Sequence, residues 1–210
     1  MQKLGLKNHY SIVNNVVDTH LFQIYKQEKT SNKKTFVHVS CFEDKSKNLT
    51  GLLESIAILK KQRNDFECIL IGYGIDYNYI KLLAQNLNLN NVIFTGLLEG
   101  KKLSETMARA DFLVISSKYE NLPVVIPEAF SCGLPVVATN VGGIAEWVNE
   151  SNGILVEPNN SVKLAEGINT MMENHFKYDK LQIRNIALNN FSAEAVTKQF
   201  TELYKRHGIR

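Results

Sequence analysis

Glu120 and Glu128 are the residues of this 210-residue chain whose type and spacing most suggest chemistry. They bracket the mostly apolar run Asn121-Leu122-Pro123-Val124-Val125-Ile126-Pro127. Ala129-Phe-Ser-Cys-Gly-Leu-Pro-Val-Val-Ala-Thr139 and Val141-Gly-Gly-Ile-Ala-Glu146 follow. A carboxylate accepts hydrogen bonds from vicinal hydroxyls, so two separated acids could grip a long polar ligand at two points. Asn121 suits a helix N-cap and Pro123 the first turn. The free amides of Val124 and Val125 would then form an anion site at the helix start. Glu128 would stand roughly 6–9 Å along the axis from Glu120. A diphosphate held there would have one acid beyond each end, facing a sugar and a ribose. Spacing alone leaves a simpler reading open: Glu120 a surface loop acid, Glu128 a first-turn acid favoured by the helix dipole. A glycosidase-like pair, with carboxylates roughly 5–9.5 Å apart, is a further rival, but acids flanking a helix start converge poorly on one bond.

The elements that must position these residues can be read from periodicity. Short β-rich runs cover 35–40, 68–72, 92–95, 112–116, 135–138 and 153–156. Helical spacing covers 49–61, where Leu52, Leu53, Ile56 and Leu59 share a face, and also 77–87 and 101–110. A short helix is expected over 144–148. Closing helices begin at Ser161, near Tyr178 and at Ser192, with both serines suited to N-caps. Strands alternating with helices predict an α/β doubly wound parallel sheet, Rossmann-like, with helices on both faces. Such sheets bind ligands outside the carboxyl ends of their strands. The loops after Ser40, Gly72, Thr95 and Ser116 fall at that edge. Ile71-Gly72-Tyr73-Gly74 is not a dinucleotide fingerprint: Tyr77 stands where the third glycine belongs, and the segment follows the second strand. Its glycines read instead as a tight turn that lets backbone approach a ligand.

Composition narrows the function classes. Hydrophobic residues make up 44% and charged residues 21%, ordinary for a globular protein. A net charge of +3 is too small to indicate nucleic acid, and the run from Lys26 to Lys34 reads as a solvated loop. Cys41, Cys68 and Cys132 are far apart, with neither metal spacing nor a disulfide framework, which fits a reducing, cytoplasmic setting. No apolar run reaches the ~18 residues of a membrane span, and the N-terminus lacks an apolar signal core. His38 alternates with Val37 and Val39 and reads as a packed strand histidine. His9, His20, His175 and His207 show no metal-like pairing.

The Glu120–Glu128 segment, Gly133-Leu-Pro-Val-Val-Ala-Thr139 and Gly142-Gly-Ile-Ala-Glu146 together resemble the signature of retaining glycosyltransferases of family 4, with the GT-B fold. Asn15-Val-Val-Asp18-Thr-His-Leu-Phe22, Lys47-Asn-Leu-Thr-Gly-Leu-Leu, Ile69-Leu-Ile-Gly-Tyr-Gly74, Val92-Ile-Phe-Thr-Gly96 and Phe191-Ser-Ala-Glu194 match other family motifs in order, from about residue 12 to 205. The resemblance implies roles. Glu120 would contact hydroxyls of the transferred sugar and Lys47 would neutralise the diphosphate, making these two the catalytic pair. Glu128 would accept from the ribose. Asn121, Leu122, Val124 and Val125 would bind the donor around the diphosphate, Leu98 would line the base pocket through its backbone, and Ser40 and Gly72 would border the same ligand. No metal and no cofactor are expected beyond a nucleoside diphosphate sugar as substrate.

The family pattern is not complete. Cys41 stands where the family commonly has an arginine six residues before the lysine, and Lys45 is the nearest cation that could replace it. Pro123 stands where glycine is common, which removes one N–H. The resemblance further implies one half of a two-domain enzyme: 1–34 a linker, 35–190 a Rossmann-like donor-binding domain, and 191–210 a C-terminal helix packing toward a missing N-terminal acceptor-binding domain. Membrane-surface contact, at the inner face, would come only through that domain. The expected activity is hexosyl transfer from a nucleoside diphosphate sugar to a hydroxyl acceptor, in polysaccharide or glycoconjugate synthesis, with this chain alone an inactive half. A non-catalytic sugar-nucleotide-binding or regulatory module and a sugar-nucleotide epimerase of the same layout are the alternatives.

Overall fold

Six parallel strands form one sheet, with helices covering both faces, in a computed structural model that describes residues 10–25 and 33–206. The chain runs β1 Lys34–Val39, α1 Asp44–Lys47, α2 Leu49–Lys60, β2 Phe66–Ile71, α3 Tyr77–Asn86, β3 Val92–Gly96, α4 Gly100–Ala108, β4 Phe112–Ile115, α5 Val125–Ser131, β5 Val136–Thr139, β6 Gly153–Val156, α6 Ser161–Asn174, α7 Lys180–Phe191 and α8 Ala193–Arg206. The strand order β3-β2-β1-β4-β5-β6 reverses direction between β1 and β4. At that switch point the loops leaving two neighbouring strands diverge to opposite faces and open a crevice. The doubly wound fold read from the sequence is therefore present, and each strand lies where its apolar run predicts.

Alternation along the buried strands splits the core in two. Val37, Leu113, Ile115, Val136 and Ala138 pack with Met107 of α4, Ile126 and Phe130 of α5 and Ile183, Ala187 and Phe191 of α7. Phe36, Phe112, Val114 and Val137 pack on the other face with α2, α3 and α6. The Phe36 ring stacks on Phe66 at 6.0 Å and on Phe112 at 5.2 Å, so one side chain ties β1 to both neighbours. This pins the register of the two strands that flank the crevice.

The lead-in residues 10–25 have no helix or strand, yet they pack on the first core through Val17 and Phe22. Val17 N–H donates to Phe191 O at 2.8 Å. The Arg184 guanidinium donates to the carbonyls of Thr19, Phe22 and Ser131, which ties this segment to α5 and α7. The basic run at 26–32, His9 and His207 lie outside the described residues.

Three local expectations need correction. Asn121 does not cap α5: the helix starts at Val125, with Val124 at the cap position. The reason is tertiary. Gly143 N–H donates to Asn121 O at 2.6 Å and holds residues 121–123 as a loop. Ser161 is likewise the first helical residue rather than the cap of α6, since the Asn160 side chain accepts from Lys163 N–H at 3.0 Å. The expected helix at 144–148 is a single 3-10 turn over Ile144–Glu146. Ser192 does act as a cap, accepting from Ala195 N–H at 3.1 Å.

Candidate active site at the sheet's switch point

A cleft of about 210 Å³ opens at the carboxyl edge between β1 and β4. Ser40 and Cys41 line it from the end of β1, Lys47 from the end of α1, Ser117 and Glu120 from the loop after β4, and Pro123, Val124 and Val125 from the start of α5. Three separate segments thus converge on one space.

Lys47 is placed by the short helix α1, which sequence periodicity does not show. Asp44 builds that turn. Its amide donates to Asp76 Oδ2 at 2.8 Å, and its carboxylate accepts from the Thr50 amide at 2.7 Å and the Thr50 hydroxyl at 2.8 Å. Asn48 then takes φ +53°, a left-handed value that asparagine tolerates, and turns the chain into α2. Ser116 Oγ donates to Lys47 O at 2.8 Å and joins α1 to the end of β4.

From this base Lys47 Nζ reaches Glu120 Oε1 at 2.6 Å. Ser117 Oγ donates to the same carboxylate oxygen at 2.8 Å. Only 19% of the lysine side chain and 11% of the glutamate side chain are exposed, so the pair is sheltered from solvent screening. Thr139 Oγ1 holds Ser117 O at 2.6 Å from β5. A second brace comes from Gly142, at φ +54°: a Cβ there would fall on the carbonyl oxygen of Glu120. The conformation of the Glu120 loop therefore depends on the glycine pair 142–143.

The start of α5 supplies amides. Ile126 N–H is taken by Pro123 O at 3.0 Å and Glu128 N–H by Val124 O at 3.1 Å, while Pro127 has none. The amides of Val124 and Val125 belong to residues that line the cleft. With the Lys47 ammonium beside them, they suit an anion with several oxygens.

Glu128 lies one turn into α5, half-buried, and takes no side-chain hydrogen bond from the described residues. Burial pushes its carboxyl up to about 7, well above the usual 4.5. Such a group gains from hydroxyl donors that would compensate its ionised form.

Of the residues predicted from sequence, Ser40, Lys47, Glu120, Val124 and Val125 meet in this cleft. Asn121 and Leu122 face an adjoining groove of about 630 Å³, with Ile12, Trp147 and Gln199. Gly72 is buried at φ +136°, where a Cβ would strike Ser40 O, so it clamps the ends of β1 and β2 together. Leu98 follows β3, half-buried against the first core and apart from the cleft lining. Ser116, Ser117 and Thr139 were not singled out in the sequence; the one available signal was two serines ending an apolar strand. A larger groove, about 1010 Å³, runs from Ala145 past Glu150 and Tyr178 to Gln182. None of the predicted site residues lines it.

The family model for glycosyl transferases group 1 matches residues 2–187. The chain belongs to this family. A relative named N-acetyl-alpha-D-glucosaminyl L-malate synthase, from Bacillus anthracis, is 24% identical over 205 residues, 91% of this chain and 52% of its own length. An uncharacterized glycosyltransferase of Methanocaldococcus jannaschii is 29% identical over 148 residues, 69% of this chain and 38% of that protein. Among solved structures, Anabaena HepE in complex with UDP-glucose superposes with a TM-score of 0.82 at 26% identity, covering 93% of this chain and 57% of that one. This group 1 glycosyl transferase chain thus spans about half the length, or less, of these curated relatives. Among its described residues, no helix is long and apolar enough to cross a membrane. Within the same residues, no group of three or more His, Cys, Asp or Glu side chains could hold a metal ion.

Proposed function

We propose that this chain is the donor-binding unit of a retaining glycosyltransferase, which moves a hexosyl-type sugar from a nucleoside diphosphate sugar to a hydroxyl acceptor. The observation that carries the reading is the convergence of Lys47, Glu120 and the Val124 and Val125 amides in one cleft. The diphosphate would lie between Lys47 and the start of α5, with the ribose toward Glu128 and the transferred sugar toward Glu120. Anabaena HepE, similar in fold, binds UDP-glucose. Relatives from Corynebacterium glutamicum are named as GDP-mannose-dependent, so the nucleotide class varies among similar proteins.

The chemical step separates an oxocarbenium-like sugar from an anionic diphosphate. Lys47 and the free amides would stabilise that leaving group electrostatically, which is where such preorganised charge acts most strongly. Attack from the same face would retain the anomeric configuration, without a metal. The acceptor would be held by a domain facing this one, so the chain alone binds donor and transfers nothing. Calorimetry with UDP and GDP tests the binding, and product analysis of the isolated chain tests the lack of transfer.

One observation favours a second reading. Cys41, exposed at the cleft mouth, gives no positive charge where the family commonly has one. A non-catalytic sugar-nucleotide module would tolerate that loss. Adding back the facing domain and measuring turnover separates the two readings.

A further inference from the structure

His38 is fully buried in β1, and both of its ring nitrogens are engaged. Nδ1 lies 2.9 Å from Val114 O and Nε2 lies 2.8 Å from Ser40 Oγ. A carbonyl oxygen can only accept, so Nδ1 carries the proton of a neutral ring. Nε2 then offers a lone pair, and the Ser40 hydroxyl must donate to it. Desolvation by burial, aided by the nearby Lys47 charge, lowers the imidazole to about 4 and keeps the ring neutral near pH 7.

The consequence reaches the cleft, which Ser40 lines beside Lys47 and Glu120. With its only proton committed to His38, Ser40 Oγ presents lone pairs alone. Among the described residues, none donates to it. Phosphate oxygens at neutral pH are also acceptors, so this hydroxyl is mismatched to a diphosphate. A sugar hydroxyl or an amide N–H, both donors, matches it.

We infer that Ser40, fixed as an acceptor by His38, recognises a donor group on the transferred sugar rather than the diphosphate, with His38 as its positioning residue. This rests on the donor-site reading and refines it: two acceptors, Ser40 and Glu120, would face the sugar from opposite strands of the switch point. Nothing in the periodicity of the sequence distinguishes this histidine from a merely packed one.

The test is calorimetry on the full chain with UDP, UDP-glucose, GDP and GDP-mannose, for wild type, Ser40→Ala and His38→Asn. Ser40→Ala is expected to weaken the sugar nucleotide that binds by about three- to tenfold, the effect of one lost hydrogen bond, and to leave the parent diphosphate within about twofold. In His38→Asn the side-chain amide can still donate to Val114 O, but the shorter side chain places no acceptor where Nε2 met the Ser40 hydroxyl. Its freed hydroxyl can then donate, so the parent diphosphate should bind as well or tighter while the sugar nucleotide weakens. Should either variant fail to fold, Ser40→Cys carries the same comparison, since a thiol is a weak acceptor. Equal weakening of both ligands, or no change in either, overturns the inference and leaves the donor site standing. Absence of binding by all four ligands to wild type overturns the donor site and the inference with it.

Discussion

Lys47 Nζ and Glu120 Oε1 meet at 2.6 Å across the switch point of the sheet, one arriving from the β1 side and the other from β4. The two charges satisfy each other. A diphosphate entering beside them would compete with Glu120 for the ammonium and release the carboxylate toward the sugar.

Glu120→Gln tests that exchange. It keeps the size of the side chain and removes the charge that competes for Lys47. UDP or GDP should bind as well as to wild type, or a few-fold tighter, in calorimetric titrations. Transfer by the complete enzyme should fall by a factor on the order of a hundred, as for loss of a charged hydrogen-bonding group at the reacting centre. Weakened diphosphate binding without loss of transfer would reverse the roles given to the two residues.

Glu128 makes stability depend on pH. Its folded value of about 7 lies above the usual 4.5, so the folded state holds its proton while the unfolded chain has lost it. The stability gained from the protonated form is fully present below about 4.5 and is lost as pH rises through about 7. The span corresponds to at most about 3 kcal/mol. Glu128→Gln should remove this dependence and melt higher than wild type at pH 8, with little difference at pH 4.5. The same melting difference at both pH values would contradict the assignment. Glu128→Ala should in addition weaken UDP or GDP by about tenfold if the ribose hydroxyls donate to it.

Gly142→Ala places a methyl group on the Glu120 carbonyl at a backbone angle that disfavours side chains. The Glu120–Asn121 loop must move, and the Gly143–Asn121 hydrogen bond with it. Thermal denaturation should show a loss of about 1–3 kcal/mol, and binding of the sugar nucleotide should weaken more than that of the parent diphosphate as Glu120 leaves its place. Unchanged binding would mean that this loop does not shape the cleft.

Chelation addresses the metal question. Nucleotide binding by the chain, and transfer by the complete enzyme, should be the same in EDTA as in buffer. Activity lost in EDTA and restored by magnesium or manganese would refute the metal-free mechanism.

The sheet was legible because its signals are local. Buried strands such as Phe112–Ile115 are short apolar runs, and α2 carries its apolar residues at helical spacing. What escaped depends on contacts between distant segments. Asn121 looks like a cap, but Gly143, twenty-two residues later, takes its carbonyl and delays the helix. The four-residue α1 is too short for periodicity and is built by Asp44, Asp76 and Thr50. Lys47 and Glu120 were each visible as candidates, while their contact required the β1–β4 neighbourhood. The Ser40–His38 hydrogen bond was hidden for the same kind of reason, since the histidine's tautomer is set by Val114 on the adjacent strand.

The most direct measurement is calorimetric titration of UDP and GDP into wild type and Lys47→Met. The account predicts that one or both nucleotides bind wild type at a single site. It predicts that the variant binds at least about tenfold more weakly, having lost a charge-assisted contact worth about 1.5–3 kcal/mol. No heat of binding with either nucleotide, or equal affinity for the two proteins, would contradict it.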